Sequence, residues 1–148
     1  MGRLEAIWLK RAHRGPMDEV TRASVMPGQG MAGSVGRSRR RQVTIIAREQ
    51  WDQMMRELGA SVDPSARRAN LMVSGLALES TRGRTLCIGS VRITIGGETT
   101  PCERMEEAHP GLQATMKPNW RGGAFGQVVN GGEIAIGDAV TWCDMEPR

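Results

Sequence analysis

The chain has almost no aromatic residues: its 148 residues include four Trp, one Phe and no Tyr. Single-stranded nucleic acids are bound largely by stacking bases on aromatic side chains, so this scarcity argues against a nucleic-acid partner. No apolar run is long enough to span a membrane, and the N-terminus lacks the apolar segment of a signal peptide. We therefore expect a cytoplasmic protein that has no membrane contact.

The familiar catalytic motifs are also missing. The sequence contains no nucleophile elbow, phosphate-binding P-loop, dinucleotide glycine fingerprint or paired zinc ligands. The three cysteines are an odd number without paired spacing, so we expect reduced thiols rather than a disulfide framework or a zinc site. His13 lies in a basic loop and His109 precedes a proline, and both are interpreted as surface residues.

Turn-forming residues, by contrast, are abundant: there are nineteen glycines and seven prolines. This composition favours many short strands over a helical bundle. Residues 91–95 alternate strictly between apolar and polar, as a half-buried strand does. About seven such strands in one small domain indicate a closed barrel, which leaves no sheet edge exposed. We predict a mainly β fold, with residues 1–148 forming a single β-barrel domain with a few short helices.

Three local patterns add detail to this prediction. Residues 47–58 carry apolar side chains at helical spacing and end at Gly59, a typical C-terminal helix cap. Gly96 and Gly97 are interpreted as a turn after the alternating strand. Residues 122–136 contain an Asn-Gly-Gly sequence between two strand-like runs, which predicts a hairpin.

The formal net charge is +4, and the positive excess is concentrated in residues 37–41. This run is either a solvated loop or a surface for an anionic partner. Arg41, Arg68 and Arg121 stand in loops next to predicted strands, and Asn70 follows Arg68 closely. Loop arginines beside glycines often hold phosphate or carboxylate, because the guanidinium offers a planar fork of donors. Solvent exposure explains any single one of them equally well.

Cys102 follows Pro101 at a predicted strand-to-helix junction. A thiol in this position can be an exposed nucleophile or a metal ligand. Its local sequence is equally compatible with a small buried apolar residue, as most free cysteines are.

The order of these segments resembles that of the MOSC domain, found at the C-terminus of molybdenum cofactor sulfurases. The resemblance covers essentially the whole chain, and it is carried by residues 5–8, 15–17, 41–45, 68–71, 89–93, 101–102, 121–123 and 131–138. It implies a barrel like that of pyruvate kinase. It also implies a link to the molybdenum cofactor (molybdopterin), a pterin dithiolene that carries a phosphate.

The resemblance further implies roles for particular residues. Cys102 matches the signature cysteine, which coordinates molybdenum in relatives that reduce N-hydroxylated bases and was proposed to carry a persulfide in sulfurase-linked members. Arg41, Arg68 and Asn70 match positions expected to line the cofactor pocket, and Arg121 is assigned to cofactor binding with them. Arg104 and Arg121 could also favour the thiolate form of Cys102, if the fold brings them close.

One segment departs from the family pattern. Residues 33–36 read Gly-Ser-Val-Gly, without the acid and histidine of a Gly-Asp-x-His-like element. The substrate or activity can therefore differ from that of relatives. We also expect none of the additional domains of amidoxime reductases and sulfurases. We expect sulfur or electrons to come from a partner, either a cysteine desulfurase or a separate electron-transfer protein.

Three functions follow from these observations. The first is a molybdenum-dependent oxidoreductase that supports reduction of a small N-hydroxylated substrate, with Cys102 as the metal ligand. The second is a sulfur carrier that bears a persulfide on Cys102. The third is a non-enzymatic module for a phosphorylated ligand or nucleic acid, bound through residues 37–41; it leaves the Pro-Cys placement unexplained.

Overall fold

Side-chain burial alternates along the strands and shows which face of each one meets the core. The computed structural model describes residues 2–36 and 38–143. Within them the strands are β1 Gly2–Lys10, β2 Met17–Val20, β3 Arg22–Met26, β4 Gly30–Met31, β5 Val43–Ala47, β6 Leu71–Ser74, β7 Thr85–Ile88, β8 Val91–Glu98, β9 Ala124–Asn130, β10 Gly132–Ala135 and β11 Ala139–Trp142. The predicted alternation of residues 91–95 is confirmed, because buried and half-buried positions alternate throughout β8.

Seven of these strands close into a barrel. Their order around the ring is β1, β11, β7, β8, β9, β5 and β6, which returns to β1. All neighbours are antiparallel except β5 and β6, which are parallel and joined through a helix, as a parallel connection requires. The predicted mainly β barrel is therefore confirmed. A second sheet of β10, β3 and β4 lies beside the ring, and β2 pairs with β1.

The barrel is filled by aliphatic side chains from every strand of the ring. These side chains are almost fully buried, and they include Leu4, Ile7, Val43, Ile45, Leu71, Val73, Leu86, Ile88, Val91, Ile93, Ile95, Val128 and Val140. Ala23, Val25, Met31 and Ile134 of the second sheet join the same core. Because burial of apolar surface is the main stabilising term in folding, this core fixes the strand ends that carry the polar residues.

Three α-helices pack outside the barrel: α1 Arg48–Leu58, α2 Glu103–Ala108 and α3 Leu112–Met116. The predicted helix ends at Gly59, whose backbone is left-handed with φ of 62°. Trp51 and Met54 of α1 form a small separate core with Met105, Leu112 and Met116. No helix in the described part of the chain is both long and apolar enough to cross a membrane.

Two local predictions are wrong. Residues 122–136 do not form a hairpin: β9 pairs with β8 and β5, whereas β10 pairs with β3. Gly96 and Gly97 are not a turn but lie inside β8, where the register shifts against β9. The ring of Phe125 occupies the space that a Cβ atom at either glycine would need. These glycines therefore allow an aromatic ring to lie against a strand.

The expectation of three reduced thiols is also wrong. Cys87 and Cys143 form a disulfide, with their Cα atoms 5.9 Å apart. Thr141 of β11 pairs with Cys87 of β7, and the N–H of Cys143 donates to the carbonyl of Thr85. Cys143 is thus the diagonal neighbour of Cys87 across an antiparallel pair. The two cysteines are 56 residues apart in sequence, so their spacing gave no sign of this pairing.

Candidate functional site

Cys102 is the free cysteine of the described chain, and its side chain is exposed. It follows the end of β8 and is the residue that precedes the first turn of α2. Its side chain lines a cleft of about 400 Å³. The other lining residues are Lys10, Arg41, Thr44, Arg67, Arg68, Ala69, Thr99, Thr100, Pro101, Arg104, Met105 and Gly122.

The cleft lies on the outer side of the barrel wall, over β5. Val43 and Ile45 point into the core and are fully buried, so the half-buried Thr44 between them points outward, where it lines the cleft. A second cavity of about 140 Å³ shares Thr44 with the first. This smaller cavity is lined by Lys10, Ser34, Val35, Gly36, Arg41, Thr44, Arg68 and Asn70.

Asn70 fixes the wall between β5 and β1. Its side-chain carbonyl accepts from the N–H of Thr44 at 3.1 Å, and its amide nitrogen donates to the carbonyl of Trp8 at 3.3 Å. The same nitrogen lies 3.4 Å from the hydroxyl of Ser34, which in turn accepts from the N–H of Lys10 at 2.9 Å. Most hydrogen-bonding capacity of Asn70 is therefore used to hold the smaller cavity together.

Arg67 ties the Cys102 segment to the neighbouring strand. It ends the short 3-10 helix Pro64–Arg67, and its Nε donates to the carbonyl of Gly122 at 2.9 Å. One Nη donates to the carbonyls of Thr99 at 3.1 Å and Thr100 at 3.4 Å. A Cβ at Gly122 would collide with the carbonyl of Thr99, so glycine permits this close approach.

The charge of Arg67 faces Cys102. Burial lowers the pKa of the Arg67 guanidinium, the negative charge of a Cys102 thiolate opposes that change, and Arg41 adds to the lowering. A guanidinium still keeps its proton at any physiological pH. Arg67 therefore places a fixed positive charge, together with three backbone hydrogen bonds, beside the segment that carries the thiol.

Arg68 has an unusual backbone and an unpaired donor. Its φ is 61°, in the left-handed region that few residues other than glycine adopt. One Nη donates to the carbonyl of Gly15, whereas Nη2 is buried and has no hydrogen-bond partner. A buried donor without an acceptor costs about 1–3 kcal/mol, so a ligand oxygen at this position would satisfy it.

Lys10 and Arg41 line both cavities. Burial lowers the pKa of the Lys10 ammonium, and the charges of Arg68 and Arg104 lower it further. The guanidinium of Arg41 lies over the ring of Phe125, 4.8 Å from its centre, in a cation–π contact. Arg37, the first residue of the predicted basic run, lies outside the described residues.

The cleft carries several positive charges, and no acidic side chain among the described lining residues balances them. Five basic side chains line it (Lys10, Arg41, Arg67, Arg68 and Arg104), whereas neither cavity is lined by an Asp or Glu of the described chain. Like charges held together in a partly dehydrated site repel one another, so this cluster of cations is electrostatically unfavourable by itself. An anionic ligand would relieve this repulsion. The chemistry of the lining is therefore that of an anion site with a soft thiol at one end.

The model of the MOSC domain family matches residues 12–141. The chain belongs to the MOSC domain family. A comparison with curated proteins gives no match. The resemblance of the sequence to this family is thus confirmed.

Solved structures agree with this assignment at the level of the fold. The YUAD protein from Bacillus subtilis superposes with a TM-score of 0.79 at 19% identity, over 95% of this chain and 94% of its own. For YiiM from Geobacillus stearothermophilus the TM-score is 0.78 at 15% identity, over 97% and 76% of the two chains. For YiiM from Escherichia coli it is 0.72 at 16% identity, over 99% and 72%.

Arg121 lies outside the lining of both cavities in this MOSC domain. Its guanidinium forms a two-point ion pair with Glu57 of α1, at 2.9 and 2.8 Å, and also bonds Gln50 and the carbonyl of Thr115. The hydrogen bond from Arg121 lowers the pKa of the Glu57 carboxyl. Because its donors are already satisfied, Arg121 serves to join α1 to the segment that precedes β9, and we leave it out of the proposed ligand site.

The structure brings most of the remaining predicted site residues together. Cys102, Arg41 and Arg68 line the larger cavity, and Asn70 lines the smaller one. Arg104, singled out as a cation near the thiol, lines the larger cavity as well. Sequence reasoning missed Lys10 and Arg67. The only sequence signal for Lys10 is that it ends the first apolar strand. Arg67 was not considered because the family motif begins at Arg68.

Proposed function

We propose that this MOSC domain binds the molybdenum cofactor in the cationic cleft and supports reduction of small N-hydroxylated molecules, with Cys102 as a thiolate ligand of the metal. The observation that carries the proposal is a free, exposed thiol at the edge of a cleft lined by five cations and by no described acid. A phosphate ester needs the cations, and a soft metal needs the thiolate.

The residues present fit the cofactor. The buried Nη2 of Arg68 lacks an acceptor, which a phosphate or pterin oxygen would provide. Lys10, Arg41 and Arg68 line the region where the two cavities meet, so they are the residues that would hold the phosphate. A volume of about 400 Å³ lies within the range of small-molecule sites, roughly 300–1,000 Å³.

Each residue then has a defined task. Lys10, Arg41 and Arg68 bind and orient the anionic end of the cofactor, and Arg67 holds the Thr99–Thr100 backbone that leads to Cys102. Cys102 supplies its sulfur to the metal. When bound, the cofactor would supply a metal centre that exchanges two electrons. Reduction of an N–OH group to N–H consumes two electrons and two protons and releases water, and we assign delivery of those electrons to a separate electron-transfer protein.

Metal analysis with native mass spectrometry tests the proposal. The protein is produced in a host that makes the cofactor, and wild type is compared with Cys102→Ser. The control is the double variant Cys87→Ser, Cys143→Ser, which removes the other two cysteine sulfurs, neither of which lines the cleft. Because this variant loses the disulfide, it is assayed at a temperature at which circular dichroism shows it to be folded. We expect bound molybdenum and pterin in wild type and control, and loss of molybdenum in Cys102→Ser. Wild-type protein that carries neither would overturn the proposal.

A second candidate function is sulfur transfer through a persulfide on Cys102. The observation that favours it is the disulfide between Cys87 and Cys143, which leaves Cys102 without a partner thiol in the described chain. A neighbouring thiolate can attack a persulfide and displace one of its sulfurs, so the absence of such a thiol protects a persulfide on Cys102. In the transfer, the Cys102 thiolate attacks the terminal sulfur of a donor persulfide. A new S–S bond forms on Cys102, the donor S–S bond breaks, and the donor leaves as a thiolate.

Intact-mass measurement tests this second function. Wild type and Cys102→Ser are incubated with a cysteine desulfurase and free cysteine. The expected result is the added mass of one sulfur atom on wild type alone. Absence of that mass, under conditions that load a known carrier, would exclude sulfur transfer and leave cofactor binding as the function of the cleft.

A further inference from the structure

We infer that the small molecule received beside Cys102 is an anion, and that Arg104 binds its acidic group. This inference rests on the proposed function and deepens it, because it names the substrate class. The acidic group is a carboxylate or phosphate, the two groups that a guanidinium recognises through paired hydrogen bonds.

The first argument is the position of the cations. Lys10, Arg41 and Arg68 line both cavities, so they surround the junction between them. Arg67 and Arg104 line only the larger cavity, the one that also holds Cys102. Positive charge therefore extends past the junction to the thiol itself.

The second argument is the amount of charge. A phosphate monoester carries about two negative charges at neutral pH. The three cations at the junction already exceed that charge by about one. Arg67 and Arg104 remain, and no described carboxylate lines the cleft to balance them. The end of the cleft near Cys102 would thus stay positive after a phosphate is bound.

The third argument separates the two remaining arginines. The Nε and one Nη of Arg67 are occupied by the carbonyls of Gly122, Thr99 and Thr100. The guanidinium of Arg104 forms no hydrogen bond or ion pair with any described residue. It is half-buried and stands two residues after Cys102. Arg104 is thus the arginine with free donors in the cavity that holds Cys102, although its charge also reaches Lys10 and Arg68.

A neutral substrate would leave this guanidinium unused, whereas an anionic substrate would form a charge-assisted pair with it.

Alkylation of Cys102 with two reagents tests the inference on protein without bound cofactor. Iodoacetate is anionic and iodoacetamide is neutral, but both react with the same thiolate: an S–C bond forms and iodide leaves. The ratio of their rate constants therefore cancels differences in thiolate population and reports how strongly the site attracts an anion. Mass spectrometry confirms that Cys102 is the alkylated residue.

The expected ratio for wild type exceeds that of glutathione and falls as salt is added. Arg104→Gln should lower the ratio about threefold, as loss of one nearby unit charge predicts, and Arg104→Lys should restore most of it. The matched control is Arg92→Gln, another half-buried arginine, which lies at the opposite end of β8 from Thr99. The control should keep the wild-type ratio. An unchanged ratio in Arg104→Gln would overturn the inference.

The molybdenum content of Arg104→Gln distinguishes the two sources of an acidic group. If Arg104 serves the substrate, the variant keeps the wild-type content. If it serves the phosphate of the cofactor, the content falls and the inference is wrong. Should the wild type carry no molybdenum, the proposed function fails, and the reagent ratio still decides whether Arg104 receives an anion.

Discussion

The chain uses cysteine and arginine in opposite ways in two regions. Outside the cleft, Cys87 is joined to Cys143, and Arg121 is paired with Glu57. Inside the cleft, Cys102 is a free thiol, and Arg104 has no partner among the described residues. Residue types alone therefore do not reveal function. Groups satisfied by the chain stabilise the fold, whereas the groups left unsatisfied in the cleft are those that we propose bind a ligand.

The electrostatics of the two regions express the same contrast. Arg121 lowers the pKa of Glu57, which is the sign of an attractive pair. The pKa of Lys10 is lowered as well, chiefly by burial and further by the charges of Arg68 and Arg104, so its surroundings disfavour the charged form. The positive charges of the cleft thus oppose folding, and a bound anion would offset that effect.

The largest expected effect concerns the cysteines. The double variant Cys87→Ser, Cys143→Ser opens a loop closed over a separation of 56 residues, and chain-entropy arguments predict a loss of about 4 kcal/mol in the free energy of unfolding. Cys102→Ser should change it by less than about 0.5 kcal/mol. Urea denaturation measures both. Equal losses in the two variants would contradict the division between structural and functional cysteines.

The next effect compares two arginines of the same cleft. Arg67→Met removes hydrogen bonds to three carbonyls and should cost about 2 kcal/mol of unfolding free energy, as charged donors to backbone acceptors do. Arg104→Met removes no hydrogen bond and should fall within about 0.5 kcal/mol of wild type. The same urea experiment applies. A larger loss in Arg104→Met would show that Arg104 is a structural residue.

A smaller effect is stabilisation by a simple anion. Inorganic phosphate at ten times its dissociation constant should add about 1.4 kcal/mol to the free energy of unfolding, by preferential binding to the folded state. The gain should be retained in Arg121→Gln and reduced in Arg41→Gln, because Arg41 lines the cleft and Arg121 does not. Thermal unfolding at fixed ionic strength measures it. An equal gain in both variants would mean that phosphate acts elsewhere.

The smallest effect is a pH dependence. The pKa of Glu57 lies below its ordinary value of 4.5 because Arg121 donates to the carboxylate. Stability from this pair is present above the unfolded pKa and is lost as pH falls through the lowered folded pKa. Arg121→Gln should therefore flatten the fall of Tm below pH 4.5, and Arg104→Gln should not. If the plots of Tm against pH were parallel for wild type and Arg121→Gln, the ion pair of Arg121 and Glu57 would have no structural role.

Much of the fold could be predicted because its strands and main helix have local signals. Alternation identified β8, and helical spacing with a terminal glycine identified α1. The false hairpin at residues 122–136 shows the limit. An Asn-Gly-Gly sequence marks a turn, but the partners of β9 and β10 come from distant segments, β5 and β3. Pairing over such distances is set by closure of the barrel and not by the turn.

The site was predicted in part, for a similar reason. Cys102, Arg41 and Arg68 stand in short motifs that can be read locally, and the structure brings them together. Whether an arginine is satisfied depends on residues far away in sequence: Glu57 lies 64 positions before Arg121. The disulfide is another contact between distant positions. The chemistry of each residue was readable in the sequence, but its partner was not.

The most direct test of the central claim is diffraction at the molybdenum absorption edge from crystals of protein produced with the cofactor. We predict one anomalous peak bonded to the sulfur of Cys102, with phosphate density between Lys10, Arg41 and Arg68. Crystals of Cys102→Ser, grown from protein produced in the same way, should lack the peak. The account would be contradicted by a molybdenum peak outside the cleft. It would also be contradicted if the protein were fully loaded with cofactor but the cleft showed no cofactor density.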